Sequence, residues 1–409
     1  MTSTARIVIA SRLFPPEVSA AAFRLGALAQ GLASDGMNVN VLTSIPPSHA
    51  PAVQDAQGVR VRRWPVLRDA GGNVRGYVQY MSFDVPLLAR MLGRPFDVAV
   101  AESPPTTGLV VAMAAALKRR PFVYYAADVW TDGVISMGAP RVVIAVMRMM
   151  ERAVLRRAHS IISVSDGVTE RLMLLGADPK AIATVGNGID TDLFTPGVAA
   201  AALDSYFVYT GTMSEWQQPD LFIRALAILA DEHPDLRLRF FGQGAVEDEL
   251  KKIAQELVPG MVEFGGVVSP SESASWVRGA VASLVSIVPG IGYDFAKPTK
   301  TYAAAATGTP VLFAGPAAGA ELVQGAELGC AVDFTAESVA AAMRVLLAQA
   351  ADGTTERERA RRAAWARQHV SLQAVAQRVG RVISRAASQR RKIETGPARA
   401  PSGDERQSQ

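Results

Sequence analysis

Along 409 residues, short runs rich in β-branched and aromatic side chains alternate with alanine- and leucine-rich stretches at helical spacing. Such alternation marks parallel sheets covered by helices on both faces, so the fold class is read as α/β and doubly wound. Strands are expected at 6–10, 38–42, 59–61, 97–101, 122–125, 160–164 and 182–185. Leu25, Leu28 and Leu32 recur at helical spacing between the first two. A second series is expected at 206–209, 236–241, 262–264, 282–288, 310–314 and 329–333, with helices near 219–232 and 337–348.

The two series are separated by Phe194, Thr195, Pro196, Gly197 and small residues up to Ala202, the composition of an interdomain linker and hinge. With 49% hydrophobic residues the chain can fill two ordinary cores. The domains are placed at 1–195 and 203–354. Arginine-rich helices over 355–387 pack back through Trp365, Val370, Leu372, Val375 and Val379. The polar stretch 388–409 is too poor in apolar residues to fold. Two doubly wound domains leave a cleft, and ligands of such sheets sit at the carboxyl ends of the strands.

The single cysteine, Cys330, excludes an internal disulfide and a thiolate metal cluster. His49, His159, His233 and His369 are scattered without ligand spacing, and no serine stands in an elbow motif. Apolar runs such as 108–117 reach about half of the ~20 residues of a membrane span. The run 6–10 is too short for a signal peptide. The reading is a cytoplasmic protein, soluble or peripheral. Net charge is +4, and Arg141, Arg148, Arg152 and Arg156 recur on one helical face. That face is either simply solvated or attracted to anionic lipid headgroups. Aromatic residues do not interleave the basic ones, which argues against nucleic acid.

Four segments carry a resemblance. They are Phe14-Pro-Pro-Glu, the run from Ile161 to Leu172 (Ile-Ile-Ser-Val-Ser-Asp-Gly-Val-Thr-Glu-Arg-Leu), Val185-Gly-Asn-Gly-Ile-Asp-Thr-Asp-Leu-Phe-Thr-Pro, and Gly308-Thr-Pro-Val. Together and in this order they resemble glycosyltransferase family 4, the large retaining GT-B family. The resemblance implies two Rossmann-like domains, an acceptor-binding one followed by a nucleotide-sugar-binding one. It also implies transfer from a nucleotide diphosphate sugar, most commonly UDP-linked, with no metal and no cofactor beyond that co-substrate. Ser103-Pro-Pro, Ala127-Asp-Val-Trp-Thr-Asp and Ala296-Lys-Pro-Thr-Lys look like the surface-polysaccharide branch that includes the fucosamine transferases of O-antigen assembly. That branch implies a saccharide or polyprenyl-linked acceptor.

The donor site can also be argued from chemistry. Phosphate oxygens are met by helix N-terminal N–H groups, the positive end of the dipole and a nearby cation. Lys297, Pro298, Thr299 and Lys300 supply a helix start and two cations, and Lys300 is taken as the group that stabilises the leaving diphosphate. An exposed loop with two solvated lysines is the plainer alternative. Where family members carry arginine and lysine after the opening glycine, this chain has Thr212 after Gly211, and Gln217. Gln217 can still donate a hydrogen bond to a phosphate oxygen. Gly242 begins a strand-to-helix turn that lines the nucleotide. The family's paired glutamates correspond to Phe295 and Ala303, neither of which hydrogen-bonds a hydroxyl. Tyr302 and Asp294 are the neighbouring polar substitutes.

In the first domain Asp128 is expected to accept or orient the proton of the acceptor hydroxyl. Pro15, Pro16, Arg24, Trp130 and Asp132 are expected around the acceptor, Arg24 on a phosphate and Trp130 stacked on a sugar face. Asp190-Thr-Asp192 is read as turn chemistry and not as a metal pair. A rival reading is a non-catalytic binding subunit that kept the fold and lost the donor glutamates. A GT-B epimerase or phosphorylase lacks the required residue clusters.

Overall fold

The computed structural model describes residues 4–394 except 18, 48, 49, 51–54, 70, 71, 73, 75 and 137. His49 and residues 395–409 of the polar stretch therefore lie outside the described residues. Contacts divide the chain into two units. The first comprises residues 1–163, 170–183 and 377–409, and the second comprises 164–169 and 184–376.

In the first unit, β1 (Arg6–Ala10), β2 (Asn38–Ser44), β3 (Val59–Trp64), β4 (Val98–Glu102), β5 (Phe122–Ala126), β6 (Ser160–Ser163) and β7 (Ile182–Thr184) form one sheet. Their order is β3-β2-β1-β4-β5-β6-β7. The second unit holds β8 (Tyr206–Thr210), β9 (Arg237–Phe241), β10 (Val262–Phe264), β11 (Ala282–Ser286), β12 (Val311–Ala314) and β13 (Gly329–Val332). Their order is β10-β9-β8-β11-β12-β13. All recorded pairings are parallel. Every expected strand is present, β1 and β10 with the expected bounds and the others with an end shifted by at most three residues.

Burial explains the strand sequences. The central strands β4, β5, β8 and β11 are buried at every position, as continuous apolar runs require when helices cover both faces. In each sheet the order reverses beside the first strand of the unit, which leaves a crevice at the carboxyl ends of its neighbours. The helix Leu372–Glu394 buries Val375, Val379 and Ile383, and runs past Ser388, where the sequence placed the start of the polar tail.

Candidate functional site

In the second unit the carboxyl ends of β8 and β9 are locked together by glycines. Gly211 has φ +107° and Gly242 φ +132°, both in the region that favours glycine. A Cβ on Gly242 would overlap the Gly211 carbonyl, and one on Gly244 would overlap that of Met213. Gly211 N donates to Phe241 O at 2.7 Å, and Met213 N to Gln243 O at 3.1 Å.

Facing this pair of turns is the helix Thr299–Thr307. Pro298 is its N-cap and Thr299 its exposed first residue, so no side chain occupies the first-turn amides. The far end is fixed by Gly308 at φ +72° and by two buried arginines: Arg359 Nη1 donates to Thr307 O at 3.0 Å, and Arg362 Nε to Gly308 O at 2.9 Å. Those guanidiniums satisfy the carbonyls that a helix end leaves unpaired. In the sequence their only trace is an arginine-rich helical stretch.

Lys300 lies on the first turn. Its Nζ sits 3.4 Å from the centre of the Tyr209 ring, 3.4 Å from Gln217 Oε1 and 3.5 Å from Thr212 O. It forms no ion pair among the described residues, and burial pushes its ammonium well below the usual lysine range. Gln217 is buried, and its Oε1 also accepts from the Tyr209 hydroxyl at 2.6 Å. Gly211, Thr212, Gln217 and Lys300 are thus brought together, with Gly242 behind them. Lys297, in contrast, is paired with Asp166 at 3.1 Å within this unit. Tyr302 and Ala303 are buried in an apolar cluster, Phe295 is half-buried, and Asp294 Oδ1 accepts from Gly290 N at 2.8 Å within its own turn.

In the first unit the register explains a buried charge pair. Ala10 stands opposite Ala101, so Ser11 follows beside Glu102, and Glu102 pairs with Tyr125 of β5. Glu102 is buried, takes the Ser11 hydroxyl at 3.1 Å and binds Arg24 Nη2 at 2.6 Å. Burial holds its carboxyl above the usual range against the pull of Arg24. Arg24, expected on an acceptor phosphate, is therefore already neutralised inside the unit. Asp128 is exposed two residues after β5, and its charge is felt by both members of the pair.

The short helix Trp130–Ser136 is held by a residue the sequence reading passed over. Glu151 accepts from Trp130 N at 2.9 Å, Thr131 N at 3.0 Å and Thr131 Oγ1 at 2.6 Å. Trp130 meets Tyr80 edge to face at 5.9 Å and so packs between elements. Asp132 binds Arg171 through both oxygens, at 2.6 and 2.7 Å. Pro15 and Pro16 are joined by a cis peptide, and Pro15 packs against Gly26 so closely that a Cβ there would meet its ring. Asp190 Oδ1 accepts from Asp192 N and Leu193 N, a turn.

Two successive doubly wound parallel sheets are the GT-B architecture. Residues 19–188 match the family described as glycosyl transferase 4-like domain, and residues 204–349 match glycosyl transferases group 1. The chain belongs to the GT-B glycosyltransferases assembled from these two domains.

A D-inositol 3-phosphate glycosyltransferase of Streptomyces scabiei is 29% identical over 184 residues, 40% of each chain. The alignment thus spans about two fifths of that relative's length. Among solved structures, Anabaena HepE in complex with UDP and glucose gives a TM-score of 0.61 at 16% identity, covering 92% of this chain and 99% of that one. Sucrose-phosphate synthase from Thermosynechococcus elongatus gives 0.66 at 17%, covering 94% and 100%. These likenesses concern the fold. The relatives found are inositol phosphate glycosyltransferases and not specifically the fucosamine branch expected from the sequence.

Proposed function

We propose that this chain is a retaining, metal-independent hexosyl- or N-acetylhexosaminyl-transferase that moves a sugar from a UDP-linked donor to an acceptor in cell-surface polysaccharide or glycolipid synthesis. The observation that carries the donor half is Lys300, a half-buried lysine at the open start of a helix whose desolvated ammonium has no carboxylate partner among the described residues. A diphosphate would supply the missing anion and accept the first-turn amides of residues 299 and 300. As the sugar bond breaks, charge grows on the leaving diphosphate, and Lys300 stabilises it where solvent is scarce. The leaving group then assists removal of the acceptor proton on the same face, and Asp128 orients the acceptor hydroxyl. Among the described residues no three His, Cys, Asp or Glu side chains gather as a metal site.

For the acceptor, two classes are in view: the polyprenyl-linked saccharide suggested by the Ser103-Pro-Pro and Ala127-Asp-Val-Trp segments, and a phosphorylated polyol of the kind named for the relatives. A peripheral position on an anionic cytoplasmic membrane face is supported by the helix Arg141–Arg157. It buries Met147, Val154, Leu155 and its only acid, Glu151. Arg148, Arg152, Arg156 and Arg157 line a shallow groove with Met149, and Val142, Val146 and Met149 are exposed beside them. A basic rim around exposed apolar side chains is the composition of an interfacial helix. Among the described residues no helix is long and apolar enough to cross a membrane.

A non-catalytic subunit is favoured by one observation, the apolar Phe295 and Ala303 at the positions of the family's glutamates. Thermal unfolding against UDP, GDP, ADP and their sugar conjugates, with EDTA and then with magnesium, decides between the two. Ligand at a hundred times its dissociation constant adds about 2.7 kcal/mol of stability. Stabilisation by UDP species in EDTA is the expected result. No response to any nucleotide would refute the donor site and leave the binding subunit.

A further inference from the structure

Around the strand ends of the first unit, Arg24, Arg63 and Arg68 each hold a carboxylate, from Glu102, Asp55 and Glu17 respectively. Arg12, two residues after β1, forms no ion pair among the described residues although it is only 7% exposed. Its one hydrogen bond there runs from Nη1 to Val74 O at 3.4 Å, and its guanidinium lies 3.8 Å over the Tyr80 ring. The same ring meets Trp130 edge-on, and the Trp130 indole N–H is buried without an acceptor. Asp84 is the carboxylate whose charge interacts with Arg12, but it is within no ion-pair distance, and its Oδ1 is taken by the Thr107 hydroxyl at 2.6 Å.

A five-donor guanidinium and an indole donor therefore meet on one tyrosine, and the described residues supply only a single long contact to a carbonyl. A buried donor left unmatched costs about 1 to 3 kcal/mol. A planar guanidinium held flat by an aromatic ring has its fork preset for two oxygens of a phosphate.

We propose that Arg12 and Trp130 form an anion subsite that takes a phosphate group of the acceptor, separate from the diphosphate site around Lys300. The word acceptor rests on the transferase reading; the anion subsite itself does not. The phosphate belongs either to a polyol phosphate or to a polyprenyl phosphate, which offer the same oxygens on different carriers.

The test is isothermal titration of the full chain with D-inositol 3-phosphate and with farnesyl phosphate, each beside its unphosphorylated alcohol, and with UDP in separate runs. One phosphate ester is expected to bind and its alcohol not, which identifies the carrier. Arg12→Met should weaken that ester about ten- to a hundredfold, the range of a hydrogen bond to a charged group, and leave UDP unchanged. Arg12→Lys keeps the charge without the fork and should fall between. Trp130→Phe keeps the ring without the N–H and should lose a smaller factor, so either variant serves if Arg12→Met does not fold. Equal ester affinity in wild type and in every folded variant would overturn the subsite, as would failure of both esters to bind wild type. Ester binding that depends on Arg12 in a protein that ignores UDP would keep the subsite and sink the transferase reading instead.

Discussion

Replacing Lys300 with methionine sets two effects in opposite directions, and the structure gives their sizes. Without ligand, the ammonium is buried with two contacts at 3.4 and 3.5 Å, the outer limit of a hydrogen bond, and no carboxylate. Desolvating an ammonium costs several kcal/mol in a real protein, and the Tyr209 ring returns at most about 2 kcal/mol. The variant should therefore be more stable than wild type by about 1 kcal/mol, raising the unfolding midpoint of the ligand-free protein. With UDP the sign reverses. Losing one charged donor to the diphosphate costs about 1.5 to 3 kcal/mol, or about ten- to a hundredfold in affinity. At a UDP concentration worth about 2.7 kcal/mol to wild type, a fiftyfold weaker variant gains only about 0.6 kcal/mol. Differential scanning fluorimetry with and without UDP reads both numbers. The pH dependence follows from the same group. A bound diphosphate raises the lysine pKa, so affinity is full below the ligand-free pKa, itself depressed beneath the ordinary 10.5, and is lost as pH rises through the bound-state value. The methionine variant should lack that fall. A variant that unfolds earlier, yet keeps the full UDP shift and the pH profile, would refute the assignment of Lys300.

Other residues give sharper local tests. Glu151→Ala removes the acceptor of three hydrogen bonds at the start of the helix Trp130–Ser136 and should destabilise the protein by about 3 kcal/mol in urea unfolding. Gly242→Ala places a Cβ on the Gly211 carbonyl at φ +132°, and should cost about 2 kcal/mol of stability along with most of the UDP response. Arg152→Glu reverses one charge beside Met149 and should reduce co-sedimentation with phosphatidylglycerol vesicles by about 2 kcal/mol, with no effect on neutral vesicles. Because Phe295 and Ala303 offer a sugar no hydrogen bond, UDP and its sugar conjugates should bind within about threefold of each other. A conjugate that binds a hundredfold tighter in titration would show that other side chains hold the sugar.

The fold was legible because a two-sided parallel sheet demands buried apolar runs at its centre, and β4, β5, β8 and β11 carry them, whereas the edge strand β3 alternates arginine with apolar residues. Lys300 was legible because a Lys-Pro-Thr-Lys segment announces a helix start with a cation on its first turn, and Thr212 and Gln217 because they stand where the resembled family carries arginine and lysine. What stayed hidden depended on register. Glu102 closes an otherwise apolar strand, and only the pairing of Ala10 with Ala101 brings Ser11 and Arg24 to it. Glu151 looked like one acid in an arginine-rich helix, since its partners are backbone amides twenty and twenty-one positions earlier. Arg24, near the start of a helix, reads in sequence as a free cation for an acceptor, and in the structure the buried Glu102 of β4 binds it. Lys297 and Asp132 look like free charges in sequence for the same reason, and in the structure each has a counter-ion.

The way this chain treats its other buried cations gives Lys300 and Arg12 their meaning. Arg239 is held between Asp204 and Glu263 at 2.9 and 2.7 Å. Arg359 and Arg362 are spent on the carbonyls that close the helix Thr299–Thr307, and Arg24 on Glu102. In each case the cost of burying the charge is met by short bonds to oxygen from the same unit. Against these four, Arg12 and Lys300 have, among the described residues, only an aromatic face and contacts to oxygen at 3.4 to 3.5 Å. On the two proposals above, an anion from outside the chain supplies the missing oxygens. In the second unit the open first turn of a helix points to a diphosphate; in the first, an indole N–H without an acceptor points to a smaller phosphate group. The division follows from what each cation lacks, and it assigns one charged substrate group to each unit.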